Sequence, residues 1–475
     1  MRAPAVPAGT PPASASSSGL PVFAIPGRHS PSRREFLRVG GLTLGGLGLV
    51  DVLAARAAGK TTRRTSVILV YCVGGASHLE TYDLKPDGPA EMRSVFRPIP
   101  TIVPGMSICE HLPRHARVAD KFSLVRSMRH AINIHNDGSI NVLTGKEPSV
   151  PDPTSTATSE HPDFGMIASR LRGPHPDAVP QYVSMPSPFH MTRPTYLGSA
   201  YKPFVTGDVS RSGNVPPQLS LRGVSPEGLE NRRQLLEELD RARDEFDHSA
   251  RAPSINAFRQ QAYGVLTSSA VAQAFDLQRE PEKLRDRYGR HLWGQSCLLA
   301  RRLAEAGTAV VSVIANAPEN GPNFTNWDDH PGNAMRPGHF AEYMRVRLPY
   351  FDQSVAALIE DVHDRGLDRD VLILVMGEFG RTPRLRTGPP DNSIGRDHWP
   401  DAYSILVSGG GLRMGQVVGA TNARGEYPTT APITPQDVLA TVYRHLGIDP
   451  AHHFTDSLGK PIPILYRGEP IRQLI

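Results

Sequence analysis

Acidic and histidine side chains follow several apolar runs of this 475-residue chain, where α/β proteins commonly place ligand-binding residues. Three groups follow such runs: His78, Glu80 and Asp83; Asp328, Asp329 and His330; and Glu378 with Arg381. A fourth group, Arg396, Asp397 and His398, directly precedes such a run. Carboxylate oxygen and imidazole nitrogen are ligands that zinc, iron and manganese accept. Two such groups on neighbouring strands would hold one or two ions, which activate water or stabilise a phosphoryl or sulfuryl group. The alternative is that these residues cap helices and satisfy backbone groups.

Two arginines flank the carboxylates of the third and fourth groups. A guanidinium binds a tetrahedral oxyanion through two parallel hydrogen bonds. We therefore expect Arg381 or Arg396 to bind the oxyanion of a substrate. The alternative is that both arginines form structural salt bridges.

A helix is predicted to end at Gly145 and to carry His135, Asp137 and Ser139 at or near its N-terminus. The free amides and the dipole of a helix N-terminus favour anions. His135 and Ser139 are therefore candidates to lie near the attacking group. Asp137 and Ser139 have an alternative role as ordinary helix caps.

The elements that position these residues alternate between strands and helices. Continuous apolar, β-branched runs predict strands buried on both faces at 66–73, 309–314, 371–376 and 403–407. Helical spacing of apolar residues predicts a long helix from about 337 to 365. A second helix is predicted from Thr434 to Leu446, closed by Gly447. This alternation indicates an α/β fold with a parallel sheet.

The N-terminal region differs in composition from the rest of the chain. Residues 1–31 are rich in Ala, Pro, Ser and Gly, which predicts a disordered extension. Residues 32–58 place Arg33 and Arg34 before a moderately apolar stretch, as in a twin-arginine signal peptide. We therefore expect the twin-arginine translocase as a partner, a periplasmic or extracellular location, and a domain at 59–475 with an insertion at about 148–288.

Charge and cysteine content restrict the possible functions. Residues 1–64 hold nine Lys and Arg against two acidic residues, so the net charge of +5 leaves −2 for the remainder. No nucleic-acid partner is expected, since that would need a basic folded domain. Three widely spaced cysteines predict buried thiols rather than disulfides. No stable membrane span is expected after signal cleavage, because no later apolar stretch is long enough.

Several motifs in this order resemble the bacterial domain of unknown function 1501 family. They are RREFLR at 33–38, FSLVRSM at 122–128 followed by LTG, GEFGRTP at 377–383, GRDHWP at 395–400 and GGGLRMGQVVGAT at 409–421. That family is similar to the alkaline phosphatase and sulfatase superfamily. The resemblance implies an alkaline phosphatase-like, three-layer α/β/α fold with a mostly parallel central sheet and a metal-assisted hydrolytic site.

The resemblance also implies roles for individual residues. Asp328 and His330 are similar to an Asp and a His that hold one metal, and His398 to a later histidine of the same site. Glu378 stands where relatives have the Asp of an Asp-His pair. His78 and Asp397 are further candidates. The implied cofactor is one or more divalent metal ions, with zinc among the candidate identities.

The sequence departs from the superfamily pattern in three ways. Gly74 and Gly75 stand where relatives have a metal-binding aspartate after the first strand, so His78 or Asp83 would have to substitute. Phe379 replaces the histidine of the Asp-His pair, and His135 stands at the place of the nucleophile.

Two functions follow as alternatives. The first is a metal-dependent hydrolase of phosphate or sulfate esters, small-molecule or polysaccharide, in the cell envelope. The second is a degenerate, non-catalytic relative that binds a polyanion or polysaccharide.

Overall fold

An eight-stranded sheet is the centre of the computed structural model, which describes residues 65–211, 262–320, 325–332, 338–389, 392–456 and 458–475 and the single residues 228, 231 and 234. The predicted extension at 1–31 and the predicted signal peptide at 32–58 lie outside the described residues. The strands of the sheet are β1 (Ser66–Cys72), β2 (Phe122–Met128), β3 (Tyr182–Met185), β4 (Phe204–Val205), β5 (Val310–Ala315), β6 (Val371–Met376), β7 (Tyr403–Gly409) and β8 (Val417–Val418).

The strand order across the sheet is β8-β2-β7-β6-β1-β5-β3-β4. Among the pairs described, β7 alone runs antiparallel to its two neighbours, β2 and β6, and the other pairs are parallel. Strand β1 is central, and Val67 aligns with Val310 of β5 and Leu372 of β6. The sheet is therefore mostly parallel, as the sequence predicted.

Helices cover both faces of the sheet. Their bounds are α1 (Pro113–Arg117), α2 (His135–Thr144), α3 (Phe164–Arg172), α4 (Ser269–Phe275), α5 (Glu282–Tyr288), α6 (Leu292–Glu305), α7 (Phe340–Asp364) and α8 (Pro435–Leu446). Side chains of α1 and α4–α7 share a core with Ile68 and Val70 of β1, whereas those of α2, α3 and α8 share a second core with Val67 and Leu69. Alternate residues of one strand thus face two cores, which confirms the three-layer α/β/α fold.

The predicted elements agree with the structure to within a few residues. The long helix begins at Phe340 rather than near 337, and the last helix has a capping box between Thr434 and Asp437 and ends at Gly447 in the left-handed conformation. The segment 148–288, which we predicted as an insertion, supplies the edge strands β3 and β4 as well as α3, α4 and α5. Part of it therefore extends the central sheet.

Short ribbons and single turns complete the described chain. The two-stranded ribbons pair Pro98–Pro100 with Ser107–Cys109, Gly380–Arg381 with His398–Trp399, Arg386–Gly388 with Ser393–Gly395, Ala420–Thr421 with Pro428–Thr430, and His453–Thr455 with Pro461–Pro463. The 3₁₀ turns are Ala119–Lys121, Thr195–Leu197, Ser199–Tyr201, Leu277–Arg279 and Arg472–Leu474. The second ribbon aligns His398 with Arg381 and so brings two of the predicted site residues together.

Two further expectations concern the described residues only. Cys72, Cys109 and Cys297 are buried free thiols, as predicted. Across the described ranges, none of the helices combines the length and apolar character that crossing a bilayer requires.

Candidate metal centre

The candidate site lies at the carboxyl ends of the three central strands. Gly74 follows β1, Asp328 follows β5 and Glu378 follows β6, while His135 begins α2 and His398 lies on the ribbon with Arg381. Because parallel strands end at the same edge of the sheet, side chains far apart in sequence converge there.

Three side chains could bind one metal ion together. One ligand atom from each of His135, Asp328 and His398 lies within 4.8 Å of the others. The Nε2 atoms of His135 and His398 are each 3.3 Å from Asp328 Oδ1. His330 approaches the other carboxylate oxygen, with Nε2 3.3 Å from Asp328 Oδ2. The structure therefore places His135, His330 and His398 around the carboxylate of Asp328, and the sequence had singled out all four residues.

Each of the three imidazoles has its other ring nitrogen next to a fixed acceptor. Nδ1 of His135 is 2.7 Å from Glu378 Oε1, Nδ1 of His398 is 2.7 Å from the Asn133 carbonyl, and Nδ1 of His330 is 3.0 Å from the Pro331 carbonyl. A carbonyl or carboxylate only accepts, so Nδ1 donates in all three rings. When these rings are neutral, Nε2 carries the lone pair, and all three lone pairs are directed at Asp328.

Lone pairs that face a carboxylate repel it unless a cation lies between them. Burial alone would lower the pKa of His135, but its hydrogen bonds to Asp328 and Glu378 raise that pKa to about 9. Burial would likewise raise the pKa of Asp328, yet hydrogen bonds from the three histidines and the charge of Arg381 hold it well below its usual range. Burial lowers the pKa of His398. The site thus attracts a positive charge, either a proton on His135 or a metal ion.

The donor set fits a divalent transition metal. Imidazole nitrogen with carboxylate oxygen suits zinc and its neighbours better than calcium or magnesium, which prefer oxygen alone. The side chains of His135, Asp328 and His398 are 27%, 17% and 26% exposed, so solvent reaches the site. Partial exposure is typical of a catalytic metal site, which keeps a coordination position for water or substrate.

Arg381 holds Asp328 in place. Its Nη2 donates to Asp328 Oδ1 over 2.7 Å and to the Gly74 carbonyl, Nε donates to the Gly75 carbonyl over 3.1 Å, and Nη1 to the Arg396 carbonyl over 3.2 Å. The guanidinium is fully buried. Our expectation that Arg381 binds a substrate oxyanion is therefore corrected: its donors are committed to the protein and it has the structural role given as the alternative.

Arg396 also forms a structural salt bridge. It pairs with Glu80 through two parallel hydrogen bonds of 2.9 and 2.8 Å, and both side chains are fully buried. Its other donors reach the carbonyls of Thr382, Pro383 and Arg93. The expected oxyanion role is corrected for Arg396 as well, because no donor is left to face the cleft.

Two residues predicted as metal ligands lie elsewhere. Nε2 of His78 is 2.9 Å from the Gly425 carbonyl, and this ring is buried. Asp397 pairs with Arg386 over 2.9 Å at the surface. Asp83, the other substitute considered for the missing aspartate, binds Lys85 and so does not complete the site either.

The glycines after β1 explain why that aspartate is absent. Gly74 has a φ of +103°, and a Cβ there would lie 2.4 Å from the Asp328 backbone nitrogen. The close approach that brings Asp328 to the centre therefore excludes any side chain at Gly74. Phe379, the second departure, packs its ring 5.1 Å from that of His135 and 4.7 Å from that of His398. It forms an apolar wall of the site.

Glu378 and Ser139 lie behind the three ligand candidates. Glu378 is buried, and its Oε1 accepts hydrogen bonds from His135 Nδ1 and, over 2.8 Å, from the Gly74 amide. Ser139 is also buried and is 2.8 Å from the Tyr71 hydroxyl. Tyr71 was not predicted as a site residue; its position in an apolar strand gave no signal of a polar role.

The sequence also belongs to a recognised family. The family model described as protein of unknown function (DUF1501) matches residues 64–475. The chain belongs to this family. The search of curated proteins found no match to this chain.

Solved structures similar to this member of the family include a synthase, a phosphonate monoester hydrolase and a periplasmic domain. The lipoteichoic acid synthase LtaP from Listeria monocytogenes is 12% identical, with 82% of this chain and 73% of that chain covered and a TM-score of 0.33. The phosphonate monoester hydrolase from Silicibacter pomeroyi is 13% identical, with 86% and 76% covered and a TM-score of 0.34. The periplasmic domain of EcEptC from Escherichia coli, in complex with Zn, is 11% identical, with 87% and 93% covered and a TM-score of 0.35. Similarity at this level carries no argument about activity, which has to come from the residues of the site.

Proposed function

We propose that this DUF1501 protein is a metal-dependent hydrolase of phosphate or sulfate esters and that the metal is zinc. The observation that supports this most is the orientation of three imidazoles: each donates Nδ1–H to a fixed acceptor and directs Nε2 at Asp328. Such an arrangement is typical of histidines that bind a metal. The substrate class follows the superfamily resemblance of the sequence.

His135, Asp328 and His398 would hold the zinc ion, with His330 as a fourth ligand candidate on the far oxygen of Asp328. A zinc ion bound there would act as a Lewis acid toward an ester oxygen and would lower the pKa of a bound water.

The surrounding residues of the chain have positioning roles. Arg381 fixes the carboxylate of Asp328 through a hydrogen bond and neutralises part of its charge. The Asn133 carbonyl fixes the ring of His398, and Phe379 excludes water from one side of His135 and His398. The substrate would approach from the exposed side of the three ligand residues.

The experiment that tests this function combines metal analysis with hydrolysis. The purified chain should contain one zinc ion per molecule and should release the phenol from at least one member of a panel of aryl phosphate, phosphonate, phosphodiester and sulfate esters. A chelator should abolish the release and added zinc should restore it. Stoichiometric zinc with no hydrolysis of any ester in the panel would contradict the enzymatic part of the proposal.

A binding role without catalysis is the second candidate. Two observations favour it: no carboxylate can be placed at Gly74, and the two arginines expected at an oxyanion are buried in structural contacts. A polyanion or polysaccharide would then occupy the same cleft. This function predicts that His330→Ala leaves ligand binding intact, whereas the hydrolase proposal predicts weaker metal binding and lower activity for the same variant.

We also propose that the protein is exported to the periplasm or beyond by the twin-arginine translocase, on the basis of Arg33 and Arg34 ahead of the apolar stretch. Replacement of both arginines by lysine should keep the protein in the cytoplasmic fraction, and the unaltered chain should be found outside it. Equal export of both proteins would contradict this route.

A further inference from the structure

We propose that Glu378 is a positioning residue that fixes His135 for metal binding and is not itself a metal ligand. This inference rests on the proposed zinc centre and goes beyond it, because it gives the buried carboxylate a role distinct from that of Asp328.

The hydrogen bonds of Glu378 engage one of its two carboxylate oxygens. Oε1 accepts from His135 Nδ1 over 2.7 Å and from the Gly74 amide over 2.8 Å. An oxygen that accepts two such donors has little capacity left for a metal ion. Glu378 also does not belong to the group of His135, Asp328 and His398 whose ligand atoms lie within 4.8 Å of one another. Its contact is with the far side of the His135 ring.

Two contacts hold Glu378 in place, one at its carboxylate and one at its backbone carbonyl. The Gly74 amide belongs to the tight turn that follows β1, in which a larger residue would collide with Asp328. His130 Nε2 is 2.6 Å from the carbonyl of Glu378, and its Nδ1 accepts from the Ile132 amide, so this ring donates to Glu378. The carboxylate is thus fixed by an amide at its tip and by an imidazole at its backbone.

A buried hydroxyl pair lies behind the carboxylate. Tyr71 and Ser139 are hydrogen-bonded over 2.8 Å, and both are buried. Burial and the nearby Glu378 carboxylate raise the pKa of Tyr71 well above its usual value. Oε2 of Glu378 is buried as well and accepts no hydrogen bond from the described residues. Gln is a useful substitute for Glu because it keeps an acceptor oxygen for His135 Nδ1 and the Gly74 amide.

The consequence is one fixed tautomer for His135. With Nδ1–H held by Glu378, only Nε2 is left to bind zinc, and the ring cannot rotate away. Removal of such a partner typically lowers metal affinity by about 10- to 100-fold.

Three variants of Glu378 separate a positioning role from coordination and from simple charge. Glu378→Gln keeps the length and an acceptor oxygen, Glu378→Asp keeps the charge but is shorter by one methylene, and Glu378→Ala removes the carboxylate. Zinc affinity is measured for each full chain by competition with a chromophoric chelator, without any substrate. We expect Gln to stay within about threefold of the unaltered protein and Ala and Asp to lose about 10- to 100-fold.

The cobalt-substituted proteins provide a spectroscopic readout. Because Glu378 does not touch the metal, the visible absorption bands of cobalt should keep their positions and intensities in Glu378→Gln. Asp397→Asn, at an exposed ion pair, is the matched control, and thermal melting followed by circular dichroism shows whether each variant is folded.

These measurements test the positioning role of Glu378 and the proposed function separately. If Gln loses zinc as strongly as Ala and the cobalt bands change, Glu378 is a ligand and this inference is wrong. If Ala binds zinc as tightly as the unaltered protein, Glu378 has no role at the metal. If the unaltered chain binds no zinc, both this inference and the proposed function are overturned, whereas zinc binding without ester hydrolysis overturns only the proposed function.

Discussion

Asp328 and Asp329 are neighbours in the chain but have opposite surroundings. Asp328 is 17% exposed and faces three imidazole Nε2 atoms, whereas Asp329 is fully buried and pairs with Arg347, whose guanidinium also lies over the Trp327 ring. A permanent cation satisfies a buried carboxylate completely and leaves nothing for a ligand. Asp328 also contacts the Arg381 guanidinium, but its carboxylate is partly exposed and has three imidazole Nε2 atoms around it, so a metal ion can reach it.

Two of the buried arginine–carboxylate pairs show the same contrast. Arg347 with Asp329 and Arg396 with Glu80 each join a carboxylate to a guanidinium with no appreciable exposure. Arg381 is intermediate, because its guanidinium is buried but contacts the partly exposed Asp328. Complete burial without nearby imidazoles thus marks the carboxylates that stabilise the fold, whereas the carboxylate that could bind a ligand is partly exposed and faces three imidazoles.

The largest expected effect is on metal binding by Asp328→Asn. The amide lacks the charge that attracts the metal, and its oxygen is a weaker ligand, so zinc affinity should fall by more than about 100-fold. Zinc content after gel filtration, measured by plasma emission, checks this. Zinc retained at one ion per chain would show that the metal binds elsewhere.

Asp329→Asn should affect stability rather than metal. It leaves Arg347 buried beside a neutral amide, and breaking such a pair costs about 3–5 kcal/mol in the free energy of unfolding. Urea unfolding of both variants measures this cost, with zinc affinity determined on the folded protein. If Asp329→Asn loses zinc and keeps its stability, the contrast between the two aspartates is wrong.

The two histidines on opposite oxygens of Asp328 should differ in importance. His398→Ala should lower zinc affinity by about 100-fold, because His398 shares Oδ1 with His135. His330→Ala should lower it by about 10-fold, since His330 contacts Oδ2 and is the more exposed ring, at 35%. Equilibrium competition with a chelator gives both values. The reverse order would place the metal on the Oδ2 side.

The smallest effect is expected for Asp397→Asn. Asp397 precedes His398 but forms an exposed pair with Arg386, and such pairs contribute about 0–1 kcal/mol. Zinc affinity and the melting temperature should therefore stay close to those of the unaltered protein. A large loss of zinc would make Asp397 part of the centre and contradict its placement at the surface.

The sequence predicted the central fold well where local signals were strong. The buried runs of β1, β5, β6 and β7 and the capped helix at Thr434–Leu446 needed only periodicity and capping rules. Strand β3 has four residues and lies among Pro and Gly, so its place in the sheet depends on long-range pairing with β5. Such pairing leaves little trace in local sequence.

The sequence predicted the Asp and His residues of the site but not the contacts that orient them. Asp328 and His330 were identified because they follow a predicted strand, His398 because it precedes one, and His135 because it begins a helix. The sequence could not show that Arg381 and Arg396 point into the protein, because a guanidinium pairs equally well with a carboxylate or a bound anion. Nor could it show that the Asn133 carbonyl orients His398, since every residue has a carbonyl.

X-ray diffraction from crystals of the zinc-loaded chain, recorded at the zinc absorption edge, tests the central claim most directly. We predict one anomalous peak within bonding distance, about 2.0–2.2 Å, of His135 Nε2, His398 Nε2 and an oxygen of Asp328, with Glu378 outside that distance. No peak among these three residues, or a peak bonded to Glu378, His78 or Asp397 instead, would contradict it.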